Sequence, residues 1–324
     1  MLQSVLLSKE KIIVSRKLSL LVPMYNEEDV VQNFFTEIIP ILENLTISWE
    51  IVCINDGSTD RTLEMLWVWN KRDARIKVLN LSRNFGKESA LTAGLDYVTG
   101  DAVIPIDVDL QDPPDLIPKM VNLWLEGFDV VNAVRSCRQS DTWLKRTTSG
   151  WFYNLINKIS DFEIPENVGD YRLLSKRCYK VINTLKERRR FMKGLFSWVG
   201  FPTATIHYER QARVAGKTKF NYWKLWNFAI EGITSFSTIP LRISTYLGLL
   251  TAVLSFIYAI SLVMDTLLYG NDVDGYPSIM TAILFLGGVQ LIFIGVIGEY
   301  ISRIHDEVKG RPVYVLESVR GFDD

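Results

Sequence analysis

The sequence is poor in the residues that the commonest catalytic and metal chemistries require. Its 324 residues include two histidines, His207 and His305, and three cysteines, Cys53, Cys137 and Cys178. With no Cys-x-x-Cys spacing, the cysteines argue against a thiolate metal site and fit a reducing compartment. Histidine ligation, or a serine–histidine–aspartate relay, would have to rest on one of only two side chains. An excess of charge of one sign is lacking as well. The net charge of −1 steers the whole chain toward neither nucleic acid nor membrane, and no nucleic-acid partner is expected. Residues 1–17 lack a sustained apolar core, so no signal peptide is expected. No Gly-x-Gly-x-x-Gly follows the first apolar run, which disfavours a dinucleotide oxidoreductase.

What is present is an alternation of strands and helices. Residues 18–22 (LSLLV) read as a strand ending at Pro23, and residues 28–43 carry apolar positions at helical spacing, among them Val31, Phe34, Phe35, Ile38 and Leu42. Glu50–Asn55 is a second strand, Ile76–Leu81 a third and Asp101–Ile106 a fourth, with a helix predicted over Glu88–Val98. Polar residues gather where these strands end. That pattern describes an open α/β sheet, in which ligands bind beyond the carboxyl ends of the strands.

After residue 240 the character changes. Ile243–Met264 and Ile279–Ile297 are uncharged apolar runs of 22 and 19 residues. Each is long enough to cross a hydrocarbon core of about 30 Å at 1.5 Å per residue. The segment between them, Asp265–Ser278, holds Asp265, Asp272 and Asp274 and no Lys or Arg, whereas Arg242, Arg303, Lys309 and Arg311 lie on the outer flanks. The positive-inside rule then places both flanks and the large domain in the cytoplasm, in a multi-pass protein of the inner membrane. Residues 221–241, rich in Tyr222, Trp223, Trp226, Phe228 and Phe236, suit an interfacial amphipathic connector. The expected organisation is a tail over 1–16, an α/β domain over 17–220, the connector, two spans within 242–304 and a tail over 305–324. Strand-like residues in Arg311–Val319 could fold that last tail back onto the domain or a neighbour. Two helices with few polar contacts leave a homo-oligomer open.

Four polar clusters sit at successive predicted strand ends. Asp107 and Asp109, in IDVDLQDPP, place two carboxylates where both can approach one divalent cation of the Mg²⁺ or Mn²⁺ type, which shares its remaining sphere with phosphate and water. Asp56-Gly57-Ser58 offers a carboxylate to a base or ribose, although alone it also reads as an Asx-turn and helix cap. Pro23–Glu28 follows the first strand, and Ser82–Lys87 brings two cations and a glycine to the end of the third.

In order, VPMYNEE, NDGSTDRT, SRNFGKESALTAGLDYVTGD, IDVDLQDPP, GDYRLLSKR, RFMKGLFSWVGF and RVAGKTKF resemble the motifs of glycosyltransferase family 2. They look closest to its polyprenyl-phosphate glycosyltransferases, which include GtrB-like glucosyltransferases and dolichol-phosphate mannose synthase. The resemblance spans residues 17–305. It implies a GT-A nucleotide-diphospho-sugar transferase domain, a Rossmann-like mixed sheet, followed by interfacial helices and a two-helix transmembrane hairpin. It also implies metal-dependent inverting transfer from a nucleotide-sugar donor to polyprenyl phosphate, with UDP-glucose first and GDP-mannose as the alternative, for cell-envelope glycosylation. A non-catalytic membrane scaffold of the same fold is the reading from another class. The Gln-x-x-Arg-Trp motif of processive polysaccharide synthases is absent. By resemblance Pro23, Tyr25, Glu27 and Asp56 hold the nucleotide with Lys87 near it, Asp107 and Asp109 hold the metal, and Gln111 lies near the donor sugar. Asp170 and Arg172 complete the catalytic set.

The acceptor sharpens that expectation. A phosphate monoester, with a second pKa of about 6, is largely a dianion at neutral pH and needs orientation and charge screening rather than a general base. Cations must therefore cover the nucleophile. The candidates are Arg135, Lys145 and Arg146 with Ser149, then Arg213, Lys217 and Lys219. Asp170 is expected to position the donor sugar or Arg172 rather than to take a proton.

Overall fold

The computed structural model describes residues 16–135, 168–185, 187, 195–196, 198–208, 239–269 and 275–322. The first half builds β1 (Lys17–Met24), α1 (Glu28–Glu43), β2 (Ser48–Asn55), α2 (Thr62–Arg72), β3 (Ile76–Leu81), α3 (Lys87–Tyr97) and β4 (Ala102–Pro105). There follow α4 (Ile117–Leu125), β5 (Val130–Arg135), β6 (Val168–Ser175), α5 (Lys176–Thr184) and β7 (Thr203–Tyr208). The chain ends in α6 (Ile239–Tyr269), α7 (Tyr276–Val308) and β8 (Leu316–Arg320).

All eight strands form one sheet in the order β7-β5-β6-β4-β1-β2-β3-β8. The β4-β1-β2-β3 block is parallel, β6 and β8 pair antiparallel with β4 and β3, and β5 runs parallel to β7. This is the mixed sheet that the GT-A expectation calls for. The strand assignments hold because β1 and β2 are buried on both faces, so they read as continuous apolar runs rather than as alternation. Alternate residues feed two cores. Leu18, Leu20 and Val22 meet α1 and α4 on one face, while Leu21, Val52 and Ile54 meet α3 on the other.

Helix α1 shows the local logic. Val31, Phe34, Phe35, Ile38 and Leu42 form its buried stripe, with Glu28 and Asp29 complementing the positive end of the helix dipole in its first turn. Phe35 also stacks on Trp69 of α2 with centroids 4.6 Å apart. Truncating it to alanine would cost about 3–5 kcal/mol.

Beyond β7 the described chain resumes in the helical pair. The 31 residues of α6 and 33 of α7 reach past the runs 243–264 and 279–297 at both ends. Phe285–Val308 is long and apolar enough to cross a membrane, and Ile243–Tyr258 is a shorter apolar stretch. Large apolar side chains such as Phe256, Leu267 and Leu291 stand exposed at 70%, 76% and 71% along these helices, a surface that lipid accepts and water does not. The connector over 221–238 lies outside the described residues.

The residues after Gly310 return to the sheet and belong to the same compact unit as its other strands. Of the two expected placements of that tail, folding back onto its own domain is the one found. β8 pairs with β3, Ser82 donates its amide to the Val315 carbonyl at 2.9 Å, and Tyr314 donates to Asp96 at 2.8 Å. Asn55 and Asn80, buried in mid-sheet, continue the link: Asn55 donates to Asn80, which donates to Glu317 at 2.9 Å.

Candidate active site

Three parallel strands deliver their ends to one edge of the sheet, and an antiparallel strand meets them there. β1 stops at Met24, β2 at Asn55 and β4 at Pro105, so Tyr25, Glu27, Asp56, Asp107 and Asp109 all leave at this edge. β6 enters where β4 exits. In their register Ala102 faces Ser175 and Val103 faces Leu174, and continuing it puts position 170 opposite position 107. Helix α3 completes the group, because its first residue is Lys87.

The Lys87 ammonium bridges the two facing carboxylates, 2.7 Å from Asp107 Oδ1 and 2.9 Å from Asp170 Oδ2. Burial disfavours its charge, but Asp170 and Asp107 outweigh that and hold its pKa above the ordinary lysine value. Asp107 moves the other way. Burial raises its pKa, Lys87 pulls it back, and the charges of Asp170 and Asp109 raise it again, for a net upward shift. Glu27 is also raised, by burial first and then by Asp109 and Asp107. Two carboxylates, Asp107 and Asp170, thus hold the Lys87 ammonium, while Asp109 and Glu27 add negative charge beside Asp107.

The loops that carry these groups hold unusual backbone. Among the described residues the only non-glycine positions with positive φ are Asn26 at 54° and Leu110 at 50°, and both belong to this edge. Asn26 tolerates it, since its Oδ1 accepts from the Thr59 amide at 2.8 Å and its own amide donates to Ser58 Oγ at 3.0 Å. A leucine there is strained. Its turn is held by the Leu110 amide on the Asp107 carbonyl at 3.3 Å and the Gln111 amide on Asp109 Oδ1 at 3.2 Å. Behind the turn, Tyr171 donates to the Pro113 carbonyl at 2.9 Å and Tyr208 to buried Asp112 at 2.5 Å.

Asp56 is 3% exposed, and its carboxylate accepts from the amides of Phe85 at 2.7 Å and Gly86 at 2.9 Å. Burial nonetheless leaves its pKa raised, against the lowering effect of those two amides. The nucleotide contact read from sequence thus gains a second assignment: Asp56 fixes the loop that aims Lys87. Gly57 makes the loop possible. At φ +66° any Cβ would lie 2.3 Å from the Arg83 carbonyl carbon.

Arg172 lies deeper than the other members of the expected catalytic set. It was placed in the catalytic set, but it is 2% exposed, donates to the Gly169 carbonyl at 2.7 Å and stacks on the Phe196 ring at 4.1 Å. It lies two residues beyond Asp170 on the same face of β6 and packs into the core. Burial lowers its pKa to about 10 despite the charge of Asp170. Pro23 is the penultimate residue of β1, and Tyr25 is exposed. Arg135 ends β5, whereas Lys145, Arg146, Ser149, Arg213, Lys217 and Lys219 lie outside the described residues. Sequence reading missed the supporting roles of Asn26, Asp112, Tyr171 and Tyr208. Three of these fall inside motifs already singled out, but nothing in a motif says which polar groups face inward.

The donor set suits a small hard cation. The described residues hold no cluster of three or more His, Cys, Asp or Glu that would cage a metal. Asp107 and Asp109 instead offer an open pair of carboxylates, as a cation shared with a diphosphate requires, and Lys87 already holds one positive charge on Asp107.

Comparison with known proteins identifies the family. The glycosyl transferase family 2 profile matches residues 19–182, and that of the GtrB C-terminal hairpin matches residues 239–304. An uncharacterised glycosyltransferase of Synechocystis sp., sll0501, is 51% identical over 95% of this chain and 96% of its own length. The bactoprenol glucosyl transferase of Shigella phage SfII is 54% identical over 93% of this chain and 97% of its own. Among solved structures, mannosyl-3-phosphoglycerate synthase from Rubrobacter xylanophilus covers 69% of this chain and 72% of its own, with 19% identity and a TM-score of 0.47.

Proposed function

The chain belongs to glycosyltransferase family 2, and from that premise we propose that it moves glucose from UDP-glucose onto a bactoprenol-type polyprenyl phosphate. The observation that carries the reading is the meeting of Asp107 and Asp170 on Lys87, with the charge of Asp109 beside Asp107, at the ligand edge of a domain whose chain continues into a GtrB-type hairpin.

The acceptor phosphate oxygen attacks the anomeric carbon. The bond from that carbon to the β-phosphate oxygen breaks, its electron pair leaves with UDP, and the configuration inverts. A divalent cation held by Asp107 and Asp109 would neutralise charge on the leaving diphosphate. Tyr25, Glu27 and the Asp56 loop border the nucleotide, Lys87 stands where the diphosphate arrives, and Gln111 follows the turn toward the sugar. Asp170 is tied to the Lys87 ammonium, which suits a positioning role. That agrees with a nucleophile already ionised at neutral pH. The acceptor phosphate is assigned to Arg135, Lys145, Arg146, Ser149, Arg213, Lys217 and Lys219.

The two helices cross the inner membrane as a hairpin, with the aspartate-bearing turn outside and the domain on the cytoplasmic face, supported by the flanking Arg and Lys. The product is a lipid-linked sugar for envelope glycosylation. The test is transfer of label from UDP-glucose into the lipid phase by membranes carrying the chain, with polyprenyl phosphate and Mg²⁺ or Mn²⁺. Label from GDP-mannose instead would change the sugar assignment, and no label from any common donor would favour a scaffold.

A further inference from the structure

The contacts of Lys87 bear on how the site exchanges one cation for another. Its Nζ lies 2.7 Å from Asp107 Oδ1 and 2.9 Å from Asp170 Oδ2, contact distances for a charge-assisted hydrogen bond. The ammonium therefore occupies one coordinating direction of that Asp107 oxygen. A small divalent cation binds carboxylate oxygen at about 2.0–2.1 Å. Placing it on the same oxygen would bring two positive centres within about 5 Å of each other on a partly desolvated surface, where like charges repel strongly.

We propose that Lys87 is the resident counter-ion of the donor-free site: it pins Asp107 to Asp170 and must leave Asp107 before a divalent cation can bind there. This rests on the proposed cation at Asp107 and Asp109. Two features make Lys87 suited to the exchange. Its backbone is fixed, because Asp56 clamps the amides of the two preceding residues and Lys87 opens helix α3. Its ammonium is mobile by comparison, at the end of four torsions and with 41% of the side chain open to solvent. It can swing from Asp107 to an incoming diphosphate without loop movement. Cation and donor binding are thereby coupled, since the diphosphate gives Lys87 a new partner as the cation takes its old one. Without a donor, the ammonium disfavours the cation.

The experiment titrates Mn²⁺ into the detergent-solubilised full-length protein without nucleotide, following loss of the free-ion electron paramagnetic resonance signal. Lys87→Met, and Lys87→Gln as a second neutral variant, should bind Mn²⁺ about tenfold more tightly than the unaltered chain. Lys87→Arg, which keeps the charge, should stay within about threefold. Equal or weaker binding by the neutral variants, in protein that still unfolds cooperatively on heating, overturns the counter-ion role. Asp107→Asn separates that failure from failure of the underlying reading. If it binds Mn²⁺ as tightly as the unaltered chain, the cation is not at Asp107. If it loses Mn²⁺ while the Lys87 variants fail to gain, the cation is there and Lys87 does not oppose it.

Discussion

The two edges of the parallel strands each hold carboxylates and lysines, and they are built in opposite ways. At the amino-terminal edge Glu50, 1% exposed, is saturated. It accepts from Ser19 at 2.6 Å and from the Thr99 amide at 2.8 Å, and pairs with Lys17 at 2.6 Å and Lys77 at 3.1 Å. Burial alone would raise its pKa, but the hydrogen bonds from Lys17, Ser19 and Thr99 outweigh that and hold it at about 2. At the carboxyl-terminal edge Lys87 bridges Asp107 and Asp170, Asp109 and Glu27 add charge beside Asp107, and the pKa values of Asp107 and Glu27 are raised. One carboxylate with two lysines is a finished structural joint. Among the described residues, carboxylates that raise one another's pKa beside Lys87 make an edge suited to a cation and its ligand.

The sharpest way to break this contrast is to neutralise one carboxylate at each edge. Asp107→Asn should lower sugar transfer by about 10²–10³-fold, equivalent to roughly 3–4 kcal/mol, without lowering the melting temperature. Glu50→Ala should do the reverse, costing about 3 kcal/mol in stability while leaving transfer per folded molecule unchanged. Denaturant unfolding of both variants measures this, and a destabilised Asp107→Asn with a neutral Glu50→Ala would invert the comparison. The sign with pH follows. Because Glu50 is depressed from 4.5 to about 2, its contribution is fully present above pH 4.5 and fades as pH falls toward 2. The acid limb of stability should therefore flatten in Glu50→Ala.

Smaller effects sharpen the picture. Asp170→Asn should reduce transfer by about tenfold, through a misplaced Lys87, and leave the shape of the pH–rate profile intact. Disappearance of one limb would return a general-base role to Asp170. Smallest of all, Tyr314→Phe removes the hydrogen bond to Asp96 and should cost under about 1 kcal/mol, read as a slight shift in the melting temperature.

Much of the ligand edge was legible because apolar strands followed by polar turns announce where a parallel sheet presents ligands. Tyr25, Glu27, Asp56, Lys87, Asp107 and Asp109 were placed there by that rule alone. The tail strand was half legible: Val315, Leu316 and Val319 suit a strand, but only pairing could choose between its own sheet and a neighbour's. Arg172 entered the catalytic set by resemblance, and only the structure shows that it packs into the core against Phe196.

By itself the sequence determined the alternation of strands and helices, the Asp107–Asp109 pair and the apolar runs, since each depends on spacing within one stretch of chain. Tertiary structure alone decided that Asp170 faces Asp107, that Lys87 binds both, and that Asp56 turns inward to hold the Lys87 loop. Those contacts join residues 20 to 83 positions apart. They arise from the antiparallel register of β6 against β4 and from burial, and neither is written in the local pattern.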